Sequence, residues 1–237
     1  MNKVLDNLEI LKNVFIFSGL SLEDMKEIQS LSSEEEFKKG QTIFMEGDPP
    51  QWVLLLIKGR VKLFKESQGG KETIFQIVGA GETFGELVIF DGRPYSYSAE
   101  SLEPATIMRI PRQSFLEIIR RRPSMCFEIV LELSRQLRDA QETIQALAVE
   151  RVEKRVVNLL LKLSERIGQN EKGKIRIPVA LTRQNIADMV GSTVETTIRV
   201  ISRLTREGYL ETKGKAIYIL DVKGLKSAPG DFLQGRI

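Results

Sequence analysis

Glu195 and Arg199, a carboxylate and a guanidinium one helical turn apart, are the side chains whose types and spacing best suit chemistry with a partner. Their segment, Leu181–Leu204, is LTRQNIADMVGSTVETTIRVISRL, and it predicts two short helices joined by a tight turn. Thr182 suits the N-cap of the first helix, and Ile186, Ala187 and Val190 share one of its faces. Gly191 stands where that helix must stop. Ser192 or Thr193 can cap the second helix, and Ser192-x-x-Glu195 spells a capping box. Thr197, Val200, Ile201 and Leu204 form the inward stripe of the second helix, leaving Val194, Glu195, Ile198, Arg199, Ser202 and Arg203 on its other face. A small residue at the helix crossing, a Gly in the turn and two apolar stripes match a helix-turn-helix. The competing reading is a plain helical hairpin, with Glu195 and Arg199 a surface pair worth about 0.2–0.5 kcal/mol. The residues that follow oppose it. Tyr209–Thr212, Lys213-Gly214-Lys215 and Ala216–Leu220 spell a β-hairpin with a basic tip, as in a winged helix-turn-helix.

Charge is sorted along the chain in a way that suits this module. Residues 151–237 carry 17 Lys+Arg against 9 Asp+Glu, a net of +8, whereas residues 1–150 carry 18 against 23, a net of −5. A phosphate backbone rewards a basic domain, because each neutralised phosphate releases counterions. Composition excludes much else. One cysteine, Cys126, rules out an intramolecular disulfide and a four-thiolate iron–sulfur cluster within one chain. The absence of histidine removes the commonest haem and metal ligand and the commonest general base, so an enzyme finds no support. No apolar run approaches the roughly 20 residues that span a bilayer, and the N-terminus has no signal-peptide pattern. The expectation is a cytoplasmic protein without a membrane partner.

The elements that must position the DNA-binding module divide into three stretches. Residues 1–36 have helical spacing, with Ser21 as an N-cap. From Phe37 to Pro111, short apolar or alternating segments at 42–45, 52–57, 61–65, 73–78, 97–100 and 105–111 alternate with turn signals, among them Gln68-Gly69-Gly70-Lys71. They predict an antiparallel barrel or jelly roll. After Pro123, Val130, Leu133, Leu137, Ala140, Ile144 and Leu147 recur at alternating spacings of three and four. That seam is about three heptads long and narrow enough to favour a second copy of the same helix. Polar residues at Glu150–Glu153 interrupt it. The expected organisation is α+β: a barrel domain over 1–122, a dimerisation helix over 123–150 and a winged helix-turn-helix over 151–237.

In this order of elements the chain resembles the CRP/FNR family of bacterial transcription regulators over nearly its whole length. The residues that carry the resemblance are Gly40-Gln41-x-Ile43-x-x-Glu46-Gly47-Asp48, Ile57-Lys58-Gly59-x-Val61 and Gly81-Glu82-x-Phe84-Gly85-Glu86-Leu87 in the barrel. In the basic domain they are Thr182-Arg183-Gln184-x-Ile186-Ala187 and Val194-Glu195-Thr196-x-x-Arg199. The resemblance implies a homodimeric regulator that binds palindromic double-stranded DNA, with RNA polymerase as a further partner.

It also implies specific contacts. Arg199 would grip guanine O6 and N7, and Glu195 would accept from a cytosine amino group. Val194 and Ile198 differ between branches of the family, which implies a shared TGA-like half-site core with different outer bases. Thr182, Arg183, Gln184, Thr193 and Thr196 would contact phosphates. In the barrel, Gly85, Glu86 and Leu87 correspond to the turn that holds a cyclic phosphate and a ribose hydroxyl. The Arg-Ser or Arg-Thr pair that follows it in cyclic-AMP members is Tyr95-Ser96 here, so the phosphate-pairing guanidinium is missing. Arg93 lies two residues earlier, with Pro94 between. Ala140 and Gln141 fall at the adenine-contacting positions, and Leu63, Phe75, Gln76 and Tyr95 are expected to line the remaining pocket. Cyclic AMP is therefore not the expected effector, and an unidentified small molecule, or none, takes its place. The cysteine cluster of the FNR type and the histidine of the haem type are both missing, so no cofactor is expected. The alternative function is a small-molecule-sensing module whose C-terminal domain contacts proteins rather than DNA.

Overall fold

The computed structural model describes residues 3–228 except 68, 71, 179, 180 and 215; the side chains of residues 3–7 and of Leu87 also lie outside the description. Gln68, Lys71 and Lys215, named above in turns, thus lie outside the described residues. The chain divides into two compact units. One comprises residues 1–65 and 76–139, the other residues 66–75 and 140–237.

The first unit begins with α1 (Lys3–Asn13), a 3-10 turn (Phe15–Phe17) and α2 (Leu22–Leu31). Ser21 and Asp24 close a capping box at the start of α2. Eight strands follow: β1 (Ser33–Phe37), β2 (Thr42–Phe44), β3 (Trp52–Lys58), β4 (Val61–Glu66), β5 (Glu72–Val78), β6 (Thr83–Phe84), β7 (Ser98–Ser101) and β8 (Ala105–Pro111), with the short α3 (Leu87–Asp91) after β6. They form two four-stranded sheets, ordered β1-β8-β3-β6 and β2-β7-β4-β5. Strand β3 shows why its sequence is almost continuously apolar. Leu54 and Leu56 face the core between the sheets, while Val53 and Leu55 face outward onto a second core built with the helices. Helix α4 (Arg112–Arg121) adds Phe115, Ile118 and Ile119 to that second core.

Several elements of this unit depart from the sequence expectation. The N-terminal helical stretch ends at Leu31, and Ser33–Phe37 is a strand despite three consecutive glutamates. Its pairing with β8, Ser33 opposite Arg109 through Phe37 opposite Ala105, overrides poor strand propensity. Glu35 forms an ion pair with Arg109 of β8. The two-residue β6 and the helix α4 were not expected at all.

The long helix α5 (Pro123–Val149) ends at the polar interruption, and α6 (Val152–Ile167) follows. In the second unit come β9 (Gln169–Glu171), β10 (Lys174–Ile177), α7 (Arg183–Met189), α8 (Val194–Arg206), β11 (Leu210–Lys213), β12 (Ala216–Ile219) and α9 (Val222–Ser227). The expected hairpin is present as β11 and β12. Its sheet is wider than expected, because β10 pairs with β12 and β9 with β10. No helix among the described residues is long and apolar enough to cross a membrane.

Candidate nucleic-acid interface and effector barrel

Helix α7 is started by Thr182, whose Oγ1 accepts from Asn185 N at 3.1 Å while Asn185 Oδ1 accepts from Thr182 N at 3.0 Å. Ile186, Ala187 and Val190 are buried. Gly191 takes φ +60°, a left-handed turn that glycine adopts without cost. The second helix is capped one residue later than the Ser192-x-x-Glu195 pattern suggests. Thr193, not Ser192, is the N-cap, with its Oγ1 accepting from Thr196 N at 3.2 Å. The amide of Ser192 is instead drawn into the turn, donating to Ala187 O at 2.9 Å. Glu195 therefore sits in the first turn of α8, where its charge suits the helix dipole, and its side chain is exposed.

Thr197, Val200, Ile201 and Leu204 are all at most 2% exposed. This stripe locks the rotation of α8, and so Glu195, Ile198 and Arg199 are turned to solvent, with Val194 half-buried beside them. Among the residues expected at phosphates, Thr182, Gln184 and Thr193 are exposed, whereas Arg183 and Thr196 are half-buried. Burial pulls the Arg183 pKa down. Thr196 has a partner that the sequence did not suggest: Arg199 Nη2 donates to Thr196 Oγ1 at 3.2 Å. At the wing, Glu211 is held between Lys174 at 2.6 Å and Lys213 at 2.9 Å.

In the barrel, the missing guanidinium is replaced by packing. Tyr95 is 4% exposed and belongs to the core between the sheets. Its ring stacks on Phe44 with centroids 3.9 Å apart, and its hydroxyl donates to Trp52 O at 3.1 Å. A Cβ at Gly85 would come 3.1 Å from the Tyr95 ring, so the Gly-Glu-Leu turn is pressed against it. Burial raises the Tyr95 pKa to about 12. Beside it, Glu86 is buried, its Oε1 accepting from Gln136 Nε2 at 3.0 Å while Oε2 finds no hydrogen-bond partner among the described residues. Burial pushes the Glu86 pKa up, opposed by the Gln136 hydrogen bond. Tyr97 is also buried, and burial raises its pKa. A cavity of about 260 Å³ remains, with Phe44, Asp48, Trp52, Tyr95 and Arg109 in its walls.

Leu63, Gly85 and Glu86 are buried, and Gln76 is half-buried. The side chain of Leu87 lies outside the description. Three residues expected at the pocket are exposed in the single chain. Ser96 is exposed, between buried Tyr95 and Tyr97 in the bend that precedes β7. Phe75 is 49% exposed next to buried Ile74, and Gln141 is exposed. Arg93 is exposed, and its Nε stands 3.7 Å from Asp91 Oδ2. Sequence reasoning missed Gln136 and Arg109, whose partners lie 50 and more than 70 residues away and leave no local signal.

On α5, Val130, Leu137, Ala140, Ile144 and Leu147 are exposed in the single chain, with Leu137 at 61% and Ile144 at 67%. Leu133 departs from the seam: it is half-buried and packs on the chain's own second core.

A barrel of two four-stranded sheets, a long helix and a winged helix-turn-helix define a DNA-binding regulator with an effector-type domain. Residues 34–122 match the cyclic nucleotide-binding domain family and residues 154–228 the Crp-like helix-turn-helix domain family. The chain is 30% identical over 217 residues to a "CRP-like cAMP-activated global transcriptional regulator" of Mycobacterium tuberculosis, covering 92% of this chain and 97% of that one. It is 32% identical over 193 residues to a "Cyclic AMP receptor protein" of Thermus thermophilus, covering 81% and 86%. The crystal structure of a CRP/FNR-family regulator from Thermus thermophilus superposes with a TM-score of 0.68 at 30% identity, covering 82% and 97%. The chain belongs to the CRP/FNR family of DNA-binding transcription regulators.

Proposed function

We propose that this regulator acts in the cytoplasm as a homodimer joined along α5, that it binds a palindrome with TGA-like half-site cores through α8, and that cyclic AMP does not control it. The observation that carries the DNA reading is the fixed rotation of α8: a fully buried stripe on one face and exposed Glu195, Ile198 and Arg199 on the other. Arg199 suits bidentate guanine recognition and Glu195 a cytosine amino group. The dimer reading is supported by Val130, Leu137 and Ile144, which repeat every seven residues and are exposed in the single chain. RNA polymerase is the proposed further partner.

Two relatives carry cyclic AMP in their names. Tyr95 argues against extending that ligand to this chain. Its ring lies against Gly85, and a phosphate there would face buried Glu86 without a guanidinium to offset it. A mobility-shift assay on TGA-type palindromes, with and without cyclic AMP, tests the reading. Binding that is retained without nucleotide and unchanged by it is expected. Absence of binding to any such palindrome refutes the DNA assignment, and a micromolar cyclic-AMP dissociation constant by calorimetry refutes the effector assignment.

A further inference from the structure

Arg155, in the first turn of α6, uses its guanidinium to tie together the ends of two other helices. Its Nε donates to Val190 O at 2.7 Å and its Nη2 to Gly191 O at 3.1 Å, both just past the last residue of α7. Its Nη1 donates to Glu150 O at 2.7 Å, just past the last residue of α5. Carbonyls at helix C-termini lack intrahelical donors and carry the negative end of the helix dipole, so a fixed cationic fork fits them closely. Two further contacts hold α6 to the end of α5 and the residue after it: Asn158 Nδ2 donates to Glu150 Oε2 at 3.0 Å, and Lys162 Nζ lies 3.1 Å from Glu142 Oε2. Packing reinforces the tie, since a Cβ on Gly191 would come 2.7 Å from Leu147 Cδ2.

Gly191 is only three residues from Val194, where α8 begins, and the turn between them is closed by the Ser192 amide on Ala187 O and by the Thr193 cap. Wherever residues 190–191 stand relative to residues 147–150, α8 must follow. We propose that Arg155 is a positioning residue for DNA recognition: by fixing the helix-turn-helix turn against the end of α5, it sets the half-site separation that the dimer accepts. This rests on the dimer-on-a-palindrome reading. One extra base pair between half-sites moves a half-site by about 3.4 Å and turns it by roughly 34°, which a rigid connection penalises and a loosened one tolerates.

The test is competition binding by the full-length protein on palindromes that differ only in central spacer, by one or two base pairs either way. For the unaltered protein, one preferred spacer with roughly tenfold loss per added or removed base pair is expected. Arg155→Ala and Arg155→Lys should flatten that profile to within about threefold, Lys because it keeps the charge but not the fork. Both should keep the ranking of single-base variants at the preferred spacer, which a general loss of folding would not. A spacer profile in the variants as steep as that of the unaltered protein overturns the inference. If Arg155→Ala does not fold, Arg155→Lys decides the outcome alone. If the unaltered protein shows no spacer preference, the palindrome reading falls and takes this inference with it; a preference that survives in the variants refutes Arg155 alone.

Discussion

Replacing Tyr95 measures whether the barrel is filled by its own side chain. The ring is 4% exposed, stacks on Phe44 at 3.9 Å, lies against Gly85 and donates its hydroxyl to Trp52 O at 3.1 Å. Truncating a buried aromatic residue to Ala costs about 3–5 kcal/mol, from lost transfer energy and the cavity left behind. The stack on Phe44 contributes about 0.5–1.5 kcal/mol of that. Tyr95→Phe isolates the hydroxyl: it keeps the ring, loses one hydrogen bond and should cost about 0.5–1.5 kcal/mol. Trp52 is the single tryptophan of the chain and sits at this contact, so its fluorescence during urea unfolding reports on the barrel rather than on the DNA-binding unit. The expected order is unaltered protein, then Tyr95→Phe, then Tyr95→Ala, with the last step the larger. A cost below about 1 kcal/mol for Tyr95→Ala would mean that water replaces the ring easily. The position would then be an open effector site, and the argument against a bound nucleotide would fail.

Three other outcomes are expected. Leu137→Glu places a charge in the exposed seam of α5 and should give monomers by sedimentation that lose palindrome binding; a full-affinity dimer would show the seam is misassigned. Arg199→Ala should cost about 1–3 kcal/mol and relax preference at one base pair per half-site, whereas Arg183→Ala should weaken binding to all sequences alike and reduce the salt slope by about one. Uniform loss in both variants would remove Arg199 as a base reader. For Glu86, burial raises the folded-state pKa above the unfolded one, so the folded state gains from the proton below the unfolded value and loses that gain as pH rises through the folded value. Glu86→Gln should therefore raise the melting temperature at neutral pH and flatten its dependence on pH above the ordinary Glu range. A melting temperature lowered equally at every pH would contradict this.

The sequence by itself determined what depends on local periodicity. The buried stripe of α8, the Thr182 cap, the wing hairpin and the heptad on α5 are each written within a window of 4–20 residues, because helix and strand periods place side chains on faces without help from the rest of the chain. Even there, competition over one residue was decided only in three dimensions, as Thr193 took the cap from Ser192 once the Ser192 amide bonded Ala187 O. Tertiary structure decided what depends on register between distant segments. The glutamate-rich β1 is a strand because β8 is there to pair with it. Leu133 left the seam because the second core offered it burial. Glu86 met Gln136 from 50 residues away, and Arg155 met Val190 and Gly191 from 35 and 36 residues away. The Tyr95 substitution was legible as a missing charge. That its ring fills the space against Gly85 was not, because side-chain volume acquires a meaning only when the opposing wall is in place.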